Sequence, residues 1–260
     1  MIMLLSCDRI SETTNQTKNL IINKEYYKSG AVEKITTSNL DTPLACCQEF
    51  YENGNLKEEY CLIHNRVNGW VKSFYENKVM SSNINYKDNM QNGFSYWYYN
   101  NGTLKREDYF GAGVQIFESK EYFPTGALKS YNSKDFTGAT TYAIFYDEKG
   151  NKTINRGYIL SRDYYVKPTD SLVAGKNAVA ELYLSSPPKT STVVKIGEIM
   201  GRNQVINMQT IPSEKDHHTL FYKTRLSKSG VHKFLAVGEM TDSVTKGISI
   251  DTLHFQIKAK

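Results

Sequence analysis

His217 and His218, flanked by Asp216 and Glu214, form the densest cluster of metal-ligating and proton-transferring side chains in this sequence. Imidazoles beside carboxylates can hold a divalent cation or relay a proton. Their spacing works against both roles. Neighbouring residues on a strand point to opposite faces, and no cysteine or third histidine lies close by. The cluster therefore reads as a solvated loop between strands. The chain has no phosphate-cradling Gly-Lys-Ser/Thr loop, no Gly-x-Ser-x-Gly elbow and no His-Glu-x-x-His helix. The paired carboxylates Glu58 and Glu59 have a lysine neighbour and read as solvent-face charge. The expectation is a protein that is not an enzyme, with no catalytic residue, no metal and no cofactor.

Four cysteines, Cys7, Cys46, Cys47 and Cys61, include no Cys-x-x-Cys pair, which argues against structural zinc. Cys61 could bridge to Cys46 or to Cys47, and free buried thiols explain all three equally well. The chain begins Met1-Ile2-Met3-Leu4-Leu5-Ser6-Cys7 and continues into the polar stretch 11–19. Leu4-Leu5-Ser6-Cys7 resembles the lipobox that ends a bacterial lipoprotein signal. That resemblance implies lipid attachment at Cys7, with residues 1–23 as signal remnant and polar tether and the cell envelope as the location. The segment lacks a basic region and a full apolar region, so either the true start lies upstream or the match is accidental. No other stretch reaches the roughly 18 apolar residues needed to span a bilayer.

The elements that would position any site are dictated by a repeat. Two aromatics, two or three polar residues, a glycine, a small apolar residue and a lysine recur along the chain. Examples are Phe50-Tyr51-Glu52-Asn53-Gly54-Asn55-Leu56-Lys57 and Tyr98-Tyr99-Asn100-Asn101-Gly102-Thr103-Leu104-Lys105. The second aromatics are Tyr27, Tyr51, Tyr75, Tyr99, Phe123 and Tyr146, in steps of 24 residues and a last step of 23. The third copy has Lys78 where the others have glycine. Asn68-Gly69, Asn92-Gly93 and Thr137-Gly138 supply a second glycine signal between the aromatic pairs. Asn-Gly adopts positive φ at little cost and closes tight hairpins; aromatic flanks suit a half-buried pleated surface. Each unit thus reads as two short strands and two turns. Single hairpins are unstable alone, so stacked copies should form an elongated antiparallel sheet over residues 24–157.

At these residues the chain resembles the bacterial MORN-type repeat family, specifically the YwqK-like antitoxin proteins, whose units read aromatic-Tyr-x-Asn-Gly-x-Leu-Lys. The resemblance covers roughly residues 24–155. It implies a hairpin-repeat sheet and, from the antitoxin label, binding and neutralising of a partner protein; related eukaryotic repeats imply scaffolding and lipid contact. The repeated rings read first as the core of the sheet. A row of exposed tyrosines is also an adaptable recognition surface. The densest aromatic group, Trp70, Tyr96, Trp97, Tyr98 and Tyr99, is the candidate contact patch.

Beyond Gly157 the period stops. Runs of Val, Ile, Leu and Thr predict strands over 178–184, 191–197, 203–211, 219–226, 231–239 and 248–258, an immunoglobulin-like antiparallel β-sandwich over 165–260. The fold class is all-β, a repeat sheet followed by a sandwich. The formal charge of +5 is uneven: residues 161–260 hold 14 Lys and Arg against 9 Asp and Glu, while the first 160 are balanced. The basic residues are scattered, which argues against nucleic acid. The expected partners are another protein, a surface glycan, and a membrane reached through the lipid anchor. The functional expectation is a binding or scaffold lipoprotein of the bacterial envelope; a soluble antitoxin or immunity protein in the cytoplasm is the alternative.

Overall fold

The structure, a computed structural model, describes residues 19–166, 172–211 and 219–260. It is all-β. A 13-stranded antiparallel sheet is followed by sheets of 3 and 4 strands. The long sheet is a meander of β1 (Leu20–Tyr26), β2 (Val32–Asn39), β3 (Leu44–Phe50), β4 (Leu56–Ile63), β5 (Arg66–Val67), β6 (Gly69–Phe74) and β7 (Met80–Lys87). It continues through β8 (Met90–Tyr98), β9 (Leu104–Gly111), β10 (Val114–Tyr122), β11 (Leu128–Lys134), β12 (Thr140–Tyr146) and β13 (Lys152–Gly157). Every strand on this path pairs with its sequence neighbours, except that the short β5 pairs with β4 off the path.

The regular spacing of the motif has a direct structural cause. In the first five copies the second aromatic opens a turn that closes on itself: Tyr51 N donates to Asn55 O and Gly54 N donates to Tyr51 O, both at 2.8 Å, and the same pair of bonds recurs at Tyr27, Tyr75, Tyr99 and Phe123; in the sixth copy Asp147, one residue after Tyr146, takes this place. The glycine adopts the left-handed conformation, φ +82° at Gly54 and +84° at Gly102, and a register shift follows in each hairpin. This is the three-residue hairpin with a glycine bulge. In the third copy Lys78 takes the same conformation, φ +69°.

Two ladders then fasten one unit to the next. The second-position hydroxyls donate to the carbonyl of the first aromatic one unit on: Tyr27 to Phe50 O (2.6 Å), Tyr51 to Phe74 O (2.7 Å), Tyr75 to Tyr98 O (2.7 Å) and Tyr99 to Tyr122 O (2.8 Å). The fifth copy carries Phe123 and has no hydroxyl to extend the series. Turn side-chain amides form a second ladder, from Asn55 to Glu76 O, Asn77 to Asn100 O and Asn101 to Pro124 O. Tyrosine at this position is therefore both wall and fastener.

The intervening turns differ from the expectation. Asn68-Gly69 and Asn92-Gly93 do not close hairpins. The chain reverses four residues earlier, at His64-Asn65 and Asp88-Asn89, and likewise at Ala112-Gly113, each a two-residue loop with both residues at positive φ. Both Asn-Gly pairs instead mark irregularities in strand pairing, and their asparagines accept from the turn of the next unit, Asn68 Oδ1 from Asp88 N and Asn92 Oδ1 from Ala112 N. Thr137-Gly138 does lie in a turn, closed by Asp135.

The sandwich pairs β14 (Leu160–Val166), β15 (Asn177–Leu184) and β18 (Thr219–Arg225) against β16 (Thr190–Met200), β17 (Gln204–Ile211), β19 (Gly230–Asp242) and β20 (Ile248–Ala259). The sheet orders are β14-β15-β18 and β17-β16-β19-β20. Period-2 alternation buries Ala178, Ala180, Leu182 and Leu184 from one sheet against Leu253, Phe255 and Ile257 from the other. Phe234 stacks on Phe255 at 5.2 Å, and Tyr222 meets Phe234 edge-on at 5.5 Å. β14 is a strand absent from the expected set; it starts only three residues after β13 ends.

That short connection joins the two parts into one core. Tyr131, Tyr142 and Ile144 at the end of the long sheet belong to the same buried cluster as Leu160, Leu182 and Met240. Ser186 N donates to the Tyr131 hydroxyl at 3.0 Å, and Lys152 pairs with Asp242 across the junction. Gly157 makes the exit feasible: its φ is +103°, and a Cβ there would lie 2.1 Å from Thr141 O.

Candidate functional site

Strand alternation splits the predicted contact patch. β8 pairs with β9 without a break from Phe94↔Tyr109 to Trp97↔Arg106, so Phe94 and Tyr96 face one side and Ser95 and Trp97 the other; Tyr98, just past a register shift, lies on the Tyr96 side, where Glu107 acts on both phenols. Trp70, on β6, shares the Tyr96 side and stacks with that ring at 6.2 Å. Tyr99 lies past the strand end, its hydroxyl committed to the fastening ladder. The five residues thus fall into two groups on opposite faces.

On the first face the rings join into a continuous row. Trp70 meets Tyr96, Tyr96 meets Phe94 at 6.1 Å, Phe94 meets Tyr109 edge-on at 5.1 Å, and Tyr109 meets Phe117 at 5.5 Å. Phe117 approaches Tyr183 of the sandwich at 6.3 Å, and Tyr183 approaches Phe136 at 5.7 Å. The row therefore crosses from the repeat sheet onto the sandwich. Trp70 and Phe94 are 41 % and 42 % exposed, so two large rings offer much of their area to solvent. Partial burial, with a smaller push from Glu107, raises the phenols of Tyr96 and Tyr98 above their ordinary value and keeps them neutral hydroxyls.

Phe117 has a feature of its own. Gly69, Gly93 and Phe117 fall 24 residues apart, and all three have left-handed backbone, Phe117 at φ +61°. Left-handed geometry costs a non-glycine residue roughly 1–2 kcal/mol, and the bulky ring at this position sits at the centre of the aromatic row. Phe94, Tyr109 and Phe117 were not in the predicted patch. Phe94 was legible from period-2 alternation with Tyr96; Phe117 was not, because its placement depends on a bulge in the β9–β10 pairing.

The opposite face holds a cleft of about 360 Å³ lined by Trp97, Tyr99, Lys105, Arg106, Glu121, Tyr122 and Lys129. Arg106 lies over Trp97 with 5.4 Å to the ring centroid, and Lys105 over Tyr99 with 5.7 Å. Beneath Arg106 the fully buried Asp108 carboxylate sits 2.6 Å from its Nη2. Glu121 and Lys129 pair loosely at 3.5 Å, both well exposed.

The cysteines resolve by register. Cys46 and Cys61 lie directly opposite across β3–β4 with Cα atoms 4.1 Å apart and form a disulfide, while Cys47 is buried, free and opposite Tyr60. Among the described residues no group of three His, Cys, Asp or Glu side chains can hold a metal ion. His232 is buried with Nδ1 2.6 Å from Glu198 Oε1 and Nε2 2.8 Å from Lys228 O, so both ring nitrogens are occupied. No helix among the described residues is long and apolar enough to cross a membrane. Cys7 and the group Glu214, Asp216, His217 and His218 lie outside the described residues. Comparison with known protein families and with curated proteins finds no match to this chain.

Proposed function

We propose that this chain is a non-catalytic binding protein of the bacterial cell envelope, anchored by a lipid at Cys7, that recognises a partner protein through the aromatic row. The row carries the reading. Exposed Trp and Phe side chains fixed on a rigid sheet lose little conformational entropy when covered, and aromatic anchors of this kind dominate protein interfaces. The row also runs across two structural parts that share one core, so it is held as a single surface. The Cys46–Cys61 disulfide supports an oxidising compartment, where such bonds persist.

A benzophenone crosslinker placed at residue 94 in living cells tests the surface, with Glu58 on the opposite face as the control position. A discrete crosslinked partner at 94 and none at 58 is the expected result; equal, diffuse crosslinking at both would defeat it. The second reading, a soluble antitoxin of the MORN-type family, rests on the repeat motif. Fatty-acid labelling with membrane fractionation decides between the two. Label lost in Cys7→Ala favours the envelope protein, and an unlabelled soluble product favours the antitoxin.

A further inference from the structure

We propose that the cleft around Trp97 and Arg106 is a second binding site, on the face opposite the aromatic row, for a short acidic peptide segment. The first ground is a departure from the repeat. The Trp97↔Arg106 cross-strand pair has counterparts in the neighbouring units: Glu49↔Glu58, Ser73↔Ser82 and Glu121↔Ser130. Unit four keeps every residue that builds the hairpin, from Tyr99 through Gly102 to Lys105, yet only here does this surface position join an indole to a guanidinium. The fold does not require the pair, since the other units form without it.

The second ground is the support under Arg106. A carboxylate with no solvent exposure is costly unless paired, and Asp108 lies within ion-pair distance of one end of the guanidinium while Trp97 covers a face, although both carboxylate oxygens and Arg106 Nε remain without a hydrogen-bond partner. The Arg106 side chain remains 40 % exposed. It is thus a cation placed between an indole face and a buried carboxylate and lining the cleft, an arrangement that favours a carboxylate ligand at little ordering cost. Lys105 has no carboxylate partner among the described residues and leans on Tyr99. Lys129 completes the rim, held only loosely by Glu121 at 3.5 Å with both side chains exposed, so that a ligand carboxylate competes with Glu121 for it.

The ligand class follows from what is free. One face of each ring is already taken by a cation of the protein itself, so the cleft offers fixed positive charge and ring edges in place of a bare platform for a sugar. A volume of about 360 Å³ accepts one or two acidic side chains of an extended segment and excludes a folded element.

The test is fluorescence anisotropy with a labelled hexaglutamate peptide, using hexalysine and an oligogalacturonate as comparison probes. The double variant Lys105→Gln/Lys129→Gln should weaken hexaglutamate binding about tenfold, as loss of two exposed charge contacts implies. Lys57→Gln/Lys195→Gln, which removes the same charge from exposed positions elsewhere, should leave it within about twofold if the site is local rather than a diffuse field. Equal loss in both variants, no binding of hexaglutamate, or binding of the oligogalacturonate instead would each overturn the proposal. A crosslinked partner at residue 94 that survives any of these outcomes would leave the aromatic-row reading intact.

Discussion

Lys78 is the one turn of its type between units one and five that lacks glycine, and it sets up a reciprocal exchange. Its φ of +69° is left-handed, its side chain is exposed, and its backbone N–H makes the same bond to Tyr75 O that Gly54 makes to Tyr51 O. Left-handed geometry costs a lysine roughly 1–2 kcal/mol, and the extra freedom of glycine in the unfolded chain returns about 0.5–1 kcal/mol of that. Lys78→Gly should therefore stabilise the protein by about 0.5–1 kcal/mol. Gly54→Lys should destabilise it by a similar amount from backbone alone, because a Cβ at Gly54 meets nothing within 4 Å. Equilibrium urea unfolding followed by circular dichroism measures both, and the corresponding Tm shifts are about 2–4 °C per kcal/mol for a chain of this size. A neutral or destabilising Lys78→Gly, or a harmless Gly54→Lys, would refute the claim that turn geometry selects glycine in this repeat.

Three further outcomes are expected. Replacing Cys46 and Cys61 by serine opens a loop with a sequence separation of 15 and should cost about 3 kcal/mol, visible as a lower urea midpoint that reductant no longer changes. Tyr75→Phe removes the hydroxyl bond to Tyr98 O and should cost about 1 kcal/mol by the same assay, while Phe123, already without a hydroxyl, sets the tolerated limit. The ammonium of Lys152, helped by the N–H groups of Thr245 and Val244, holds the Asp242 carboxyl well below the usual range. A lowered folded pKa stabilises above the unfolded value of about 3.9 and is lost as pH falls below it. The stability difference between the native chain and Asp242→Asn should accordingly shrink between pH 7 and pH 3; a pH-independent difference would remove the junction ion pair from the account.

Local chemistry made much of this fold legible. The 24-residue spacing of Tyr-x-x-Gly predicts one turn per unit because only a left-handed residue closes it, and alternation in 253–257 predicts the buried face of β20. The expected strand 178–184 is Asn177–Leu184 in the structure, and 219–226 is Thr219–Arg225. What was not legible depends on long-range pairing. His64-Asn65 and Asp88-Asn89 carry no glycine and so give a weak turn signal, while the nearby Asn-Gly pairs give a strong one although they serve as bulges. Register alone decides that Cys61 meets Cys46 and not Cys47. A continuous β8 likewise separates Tyr96 from Trp97, which adjacency in sequence had grouped together. β14 carries no boundary signal of its own, because it begins almost at once after the last repeat strand.

The most direct measurement is the affinity of the purified partner crosslinked at residue 94, titrated against the native protein and against Trp70→Ser/Phe94→Ser. Both rings are already well exposed, so the substitutions should leave the sheet intact by circular dichroism. If the aromatic row is the recognition surface, losing two anchor rings costs about 2 kcal/mol or more, a loss in Kd of roughly thirtyfold. An unchanged Kd with an intact fold would contradict it.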